Sequence, residues 1–237
     1  MKRASLLLLP GLDGTGILLT PLLRALGAEW DVKVLSYPQD PKLGYQDYLD
    51  LVRAALPEAD FFILGESFSG PIALKIAAEH PKGLRGVILC ATFVKNPAPL
   101  FPAFLRFLVV APLFLLCPFS FRLNVLTTFR NTEELRLLMK RVVRVTNNRV
   151  LAARTREAIG VNVEGEFAAC SYPLLYLCGA RDMVVTGRNH RSMRRLRPDM
   201  QVERLDTSHL VLQEAPDEAA THVRAFMSGH LPGNRPL

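Results

Sequence analysis

Residues 61–74 read Phe61-Phe62-Ile63-Leu64-Gly65-Glu66-Ser67-Phe68-Ser69-Gly70-Pro71-Ile72-Ala73-Leu74. Four apolar residues describe a buried strand, a cluster of small residues describes a sharp turn, and the apolar positions after Pro71 describe a helix. A serine stands at the turn itself. The backbone of such a strand-to-helix turn is strained and its neighbours must be small, because the serine has to stand exposed above the sheet. Gly65, Ser69 and Gly70 meet that demand. The helix that follows aims its N-terminal N–H groups at the serine, which suits a developing negative charge.

Working outward from this turn, five further short runs rich in Leu, Val or Ile have the character of buried parallel strands, giving six in all: 5–9, 32–35, 61–64, 86–90, 174–178 and 201–205. Helical patterns separate them at 18–26, 45–56 and 71–79, and follow the last two at 187–196 and 217–227. Right-handed crossovers of such an alternation build an α/β fold, a doubly wound and mostly parallel six-stranded sheet with helices on both faces. The rhythm breaks between Cys90 and Leu174, where the composition shifts toward Phe, Leu, Pro and Arg. We therefore expect a core of residues 1–92 and 171–237 carrying an inserted helical cap, residues 93–170.

Within the insert, 100–121 is apolar, but Arg106 and three prolines (Pro102, Pro112 and Pro118) argue against a membrane span and for an apolar lid. Thr132 is placed to cap a helix with Glu133 and Glu134 in its first turn and Leu135, Leu138, Met139 and Val142 on one face. A second helix over 149–159 is expected to end with Gly160 in the left-handed position.

With 49% hydrophobic and 22% charged residues, the 237-residue chain is not a disordered one. Its formal charge of +7 is partly concentrated: residues 130–157 hold eight basic side chains, Arg154 among them, against Glu133, Glu134 and Glu157. Without interleaved aromatics these read as solvated helix faces, so no nucleic-acid partner is expected. The basic helix and apolar lid leave weak association with an anionic membrane surface as a subsidiary expectation. Cys90, Cys117, Cys170 and Cys178 lack both metal-ligand spacing and the density of a disulfide scaffold, and Cys90 and Cys178 read as buried thiols. Met1-Lys2-Arg3 and the leucines 6–9 mimic a leader, but Pro10-Gly11 ends the run and no small-residue cleavage site follows. The first run is read as a strand and the location as cytoplasmic.

The turn around Ser67 resembles the nucleophile elbow, G-x-S-x-G, of the α/β-hydrolase superfamily, and of its small capped esterases and lipases in particular, with Ser69 where the second glycine is expected. The resemblance implies a general base and an orienting acid in the chain order serine, acid, histidine. Gly179-Ala180-Arg181-Asp182-Met183-Val184-Val185, after the fifth strand, looks like the acid loop of that superfamily, with Asp182 as the carboxylate. Thr207-Ser208-His209-Leu210, after the sixth, looks like its histidine loop. Each follows the C-terminal end of a parallel strand, and those ends share one edge of an open sheet, where ligands bind. Asp206 and Glu66 are the competing carboxylates by proximity in sequence. Two N–H donors for the oxyanion follow from the resemblance: Phe68, next to the serine, and Leu12, in a loop 9–16 that is similar to the H-G-x loop of the superfamily with Pro10 replacing its histidine. The glycines of that loop do not have dinucleotide spacing. No metal and no cofactor is expected.

The function implied is hydrolysis of a small-molecule carboxylic ester through a Ser67–His209–Asp182 triad and an acyl-enzyme. Phe93, Phe101, Phe104 and Phe107 are the candidates for contacting an apolar substrate moiety, in a segment that also holds Phe114 and Phe119. Acyl transfer, thioester cleavage and carbon–carbon hydrolysis share the triad. A catalytically silent receptor is the rival of another class.

Overall fold

The computed structural model describes residues 4–98, 102–110, 112, 126–127 and 132–231. Strands β1 (Ser5–Leu9), β2 (Asp31–Val34), β3 (Phe61–Glu66), β4 (Leu84–Cys90), β5 (Leu174–Gly179) and β6 (Gln201–Leu205) form one sheet in the order β2-β1-β3-β4-β5-β6, with every pairing parallel. Between them run α1 (Thr20–Leu26), α2 (Tyr45–Ala55) and α3 (Gly70–Ala78). The excursion from β4 to β5 holds a 3-10 turn (Ala103–Leu108), α4 (Glu133–Val145), α5 (Asn148–Gly160) and the short α6 (Glu164–Ala168). Helix α7 (Gly187–Leu196) follows β5, and α8 (Val211–Glu214) and α9 (Pro216–Gly229) follow β6.

The central strands are apolar throughout because both faces of the sheet are covered. Leu7, Leu9, Ile63, Val87, Leu89 and Tyr176 join one core with Leu49 and Val52 of α2, Ile72 and Ile76 of α3 and Met193 of α7. Their alternate neighbours Leu6, Leu8, Phe62, Leu64, Ile88 and Leu175 join the other, with Leu22 and Leu26 of α1 and Val223 and Phe226 of α9. The chain is thus wound about both faces of one sheet, as its βα rhythm requires.

In the insert, the Thr132 hydroxyl accepts from the N–H of Leu135 at 3.2 Å and caps α4. The buried face of α4, Leu135, Leu138, Met139 and Val142, packs on Leu18 and Leu210, so this helix touches the loops that follow β1 and β6. Gly160 differs from expectation. It is the last residue of α5 with no positive φ, and a Cβ there would run into the Arg106 guanidinium. Close approach of the 3-10 turn, rather than a left-handed helix end, accounts for the glycine. A second departure is the basic cluster, because Arg154 is wholly buried. Among the described residues no helix is long and apolar enough to cross a membrane.

Candidate active site

Strand β3 ends at Glu66, and the chain turns through Ser67, whose φ of 47° lies in the left-handed region that non-glycine residues rarely adopt. Surrounding contacts hold that conformation. The Thr92 hydroxyl donates to the Ser67 carbonyl, and a Cβ at Gly65 would come within 2.6 Å of the Ser69 carbonyl oxygen. The Ser69 side chain is more than a tolerated substitute for glycine. Its hydroxyl donates to the Pro10 carbonyl, and the Tyr37 hydroxyl donates to it at 2.8 Å. The serine thereby ties the elbow to the loop after β1.

The acid and histidine loops are laced together at the ends of their strands. Ala180 N–H donates to the Leu205 carbonyl at 2.7 Å and Arg181 N–H to the Thr207 carbonyl at 2.9 Å. The N–H of Ser208 donates to Glu214 of α8 at 2.9 Å, which anchors the residue before His209. These bonds bring together three side chains from distant parts of the sequence. Ser67 Oγ lies 3.0 Å from His209 Nε2, and His209 Nδ1 lies 2.8 Å from Asp182 Oδ2. Asp182 Oδ1 accepts the N–H groups of Val184 and Val185 at 2.8 and 2.9 Å, which fixes the carboxylate plane. Burial disfavours a charged His209, but the charge and hydrogen bond of Asp182, with a further contribution from Glu66, outweigh it and hold the imidazole above its usual range. The arrangement can take a proton from Ser67, carry positive charge on the ring and keep the ring in one tautomer.

The competing carboxylates lie elsewhere. Asp206 pairs with Arg181 at the surface. Glu66 is buried and makes no bond to His209 among the described residues: its Oε1 accepts from Gln213 Nε2 at 2.8 Å, and its carboxylate also accepts from the Gly11 N–H. Burial raises its pKa to about 7, against hydrogen bonds from Gln213 and Gly11 that lower it.

Leu12 and Phe68 come from the two loops that Ser69 links. Phe68 is packed by aromatics: the Tyr45 ring stacks on it at 4.7 Å, and the Tyr45 hydroxyl donates to its carbonyl at 3.0 Å. Of the aromatic residues read as substrate contacts, Phe93 is in the core, whereas Phe104 and Phe107 are 72% and 64% exposed on the 3-10 turn. Phe101 lies outside the described residues, as do Phe114, Phe119 and Cys117. Cys90, Cys170 and Cys178 are buried free thiols.

Sequence patterns missed Tyr37, Tyr45, Thr92, Arg154 and Gln213 as parts of this site. Ser69 was read there only as a small residue, although a hydroxyl where the elbow motif has glycine was a visible signal for its bridging role.

The family model described as serine aminopeptidase, S33, matches residues 44–214, well over half of the chain. Phytyl ester synthases 1 and 2 of Arabidopsis thaliana, both chloroplastic, are 35% identical over 83 residues and 33% identical over 100. These alignments cover 32% and 38% of this chain but only 12% and 14% of those longer proteins. Among solved structures, the enol-lactonase of Burkholderia xenovorans LB400 superposes with a TM-score of 0.77 over 96% of this chain and 92% of its own, at 18% identity, a likeness of fold. With the parallel sheet, the elbow and the family match in agreement, this chain belongs to the serine aminopeptidase S33 family and is a hydrolytic enzyme with the α/β-hydrolase fold.

Proposed function

We propose that the protein is a carboxylic-ester hydrolase in which Ser67 is the nucleophile, His209 the general base and acid, and Asp182 the group that orients and stabilises the imidazolium. Ser67 Oγ attacks the acyl carbon while His209 Nε2 takes its proton. The tetrahedral oxyanion is held by the N–H groups of Leu12 and Phe68. Collapse expels the alcohol, which leaves with the proton from His209, and Ser67 carries the acyl group. Water then attacks the same carbon as His209 takes its proton. The acid departs and Ser67 Oγ recovers its hydrogen.

The observation that carries this reading is the continuous chain Ser67 Oγ–His209 Nε2–Asp182 Oδ2, with separations of 3.0 and 2.8 Å, at the C-terminal edge of the sheet. Residues 93–170 act as its cap. An apolar acyl or alcohol moiety is supported by Phe104 and Phe107, which the insert leaves exposed. A p-nitrophenyl ester series of increasing acyl length tests the proposal. Turnover with a length preference, lost by 10⁴-fold or more in Ser67→Ala, is the expected result. Turnover unchanged by the substitution overturns the assignment.

Acyl transfer is the second reading, favoured by the partial match to two ester synthases. It requires an alcohol to replace water in the second half-reaction. An added long-chain alcohol that converts the acyl-enzyme to a new ester faster than water hydrolyses it would establish transfer.

A further inference from the structure

Among the described residues Arg154 is one of the largest fully buried side chains, and it comes from the excursion between β4 and β5. Its guanidinium lies 5.7 and 5.3 Å from the ring centroids of Tyr37 and Tyr48. Every nitrogen donates. Nε bonds the Tyr48 hydroxyl at 3.0 Å, Nη2 the Pro38 carbonyl at 3.0 Å, and Nη1 the carbonyls of Leu12 and Asp13 at 3.0 and 2.6 Å. A planar fork of five N–H groups can reach four acceptors in this way; an ammonium cannot. The bonds run 106 to 142 residues along the chain and join α5 to helix α2 and to the loops after β1 and β2.

Two of those acceptors are the central carbonyls of the turn over 11–14, which is closed by the Gly14 N–H donating to the Gly11 carbonyl at 3.0 Å. In a planar trans peptide the C=O and N–H point in opposite directions. The bond to the Gly11 oxygen therefore sets the direction of the Leu12 N–H, and the Arg154 bonds fix the two peptides that follow. Gly14 has φ +70°, and a Cβ there would overlap the guanidinium, so the turn is shaped around the arginine.

We propose that Arg154 is a positioning residue that holds this turn so that the Leu12 N–H faces the reaction centre, making catalytic competence depend on the seating of α5. The inference rests on the reading of Leu12 as an oxyanion donor. Loss of one such donor costs about 10²–10³ in kcat, and a loosened donor costs less. Arg154→Lys keeps the charge and removes the fork, with an expected fall in kcat of about tenfold to a hundredfold per fluorophosphonate-titrated site and a KM within about twofold. Amide hydrogen exchange provides a readout independent of activity: the peptide covering 10–17 should exchange faster in the variant while the peptide covering 61–66 does not. Tyr48→Phe, which removes one acceptor, should show the same pattern at about two- to fivefold in kcat and decides the matter if Arg154→Lys does not fold.

Unchanged exchange over 10–17 overturns the clamp. Faster exchange with wild-type kcat per titrated site overturns its catalytic role. Failure of the wild-type protein to turn over esters or to react with fluorophosphonate is a failure of the functional reading instead, and the exchange result still decides whether Arg154 holds the turn.

Discussion

Two segments of the same insert reverse the usual relation between polarity and burial. On the 3-10 turn, Phe104 and Phe107 stand in solvent; on α5, the cation Arg154 is sealed among Tyr37, Tyr48 and three backbone carbonyls. The neighbouring α4 buries one apolar stripe, Leu135, Leu138, Met139 and Val142, and turns Arg136, Lys140 and Arg144 outward beside the exposed Leu137, Val143 and Val145. The contrast separates what an insert does by packing from what it does by holding polar groups. α4 packs on Leu18 and Leu210 through apolar side chains, whereas α5 grips the backbone of the loop after β1, which Ser69 ties to the Ser67 turn.

The largest effect should come from the buried cation. Arg154→Met leaves three carbonyls and a phenol without their donor, so stability should fall by about 3 kcal/mol or more. Arg144→Met, on the exposed face of α4, should stay within about 0.5 kcal/mol of wild type. For a chain of this size the first corresponds to roughly 10 °C in Tm by calorimetry. Equal effects of the two substitutions would show that Arg154 is solvated like Arg144.

The next effect depends on pH. Glu66 is the acidic counterpart of Arg154, a buried group beside the same loop, with its carboxyl raised to about 7. In the unfolded chain it ionises near 4.3, so between about pH 4.5 and 7 the unfolded state loses its proton and the folded state retains it. Folding stability drains across that window, by on the order of 3 kcal/mol, and the deficit is constant above it. Glu66→Gln removes the titration. Its Tm relative to wild type should climb from pH 4.5 to 7 and then level, whatever the offset at low pH; a difference that is flat with pH would contradict the burial account.

The smallest effect is expected at Phe104. Phe104→Ser should change folding stability by no more than the scatter typical of surface positions, about 0.5 kcal/mol. If the side chain meets an apolar substrate, KM for long-chain esters should rise while short-chain esters are unaffected. A large loss of stability would show that Phe104 is packed and not exposed.

The same contrast explains what could be read from the sequence. The strand at 5–9 was legible to the residue because a continuous apolar run is a local property. The strand at 201–205, with only Val202 and Leu205 apolar, and the helix at 187–196 were legible from their places in the βα alternation. That Ser67, His209 and Asp182 meet at one edge of the sheet was legible because each follows a strand and carries a motif. Arg154 was not: within a cluster of eight basic residues a buried arginine looks like a solvated one, and its four acceptors lie more than a hundred positions away. One local signal existed. Arg154 falls four residues after Val150 and four before Ala158, on the buried stripe of α5, where a solvated arginine would not sit. Tyr37, Tyr45 and Tyr48 were hidden for a related reason, since an aromatic in an apolar face reads as core whether or not its hydroxyl holds a loop.

Reaction of the folded protein with a fluorophosphonate, followed by intact mass and peptide mapping, tests the proposed triad most directly. The expected result is one adduct on Ser67, absent in Ser67→Ala and slowed by about a hundredfold or more in His209→Ala. No adduct on the folded wild-type protein, or an adduct on another residue, would contradict it.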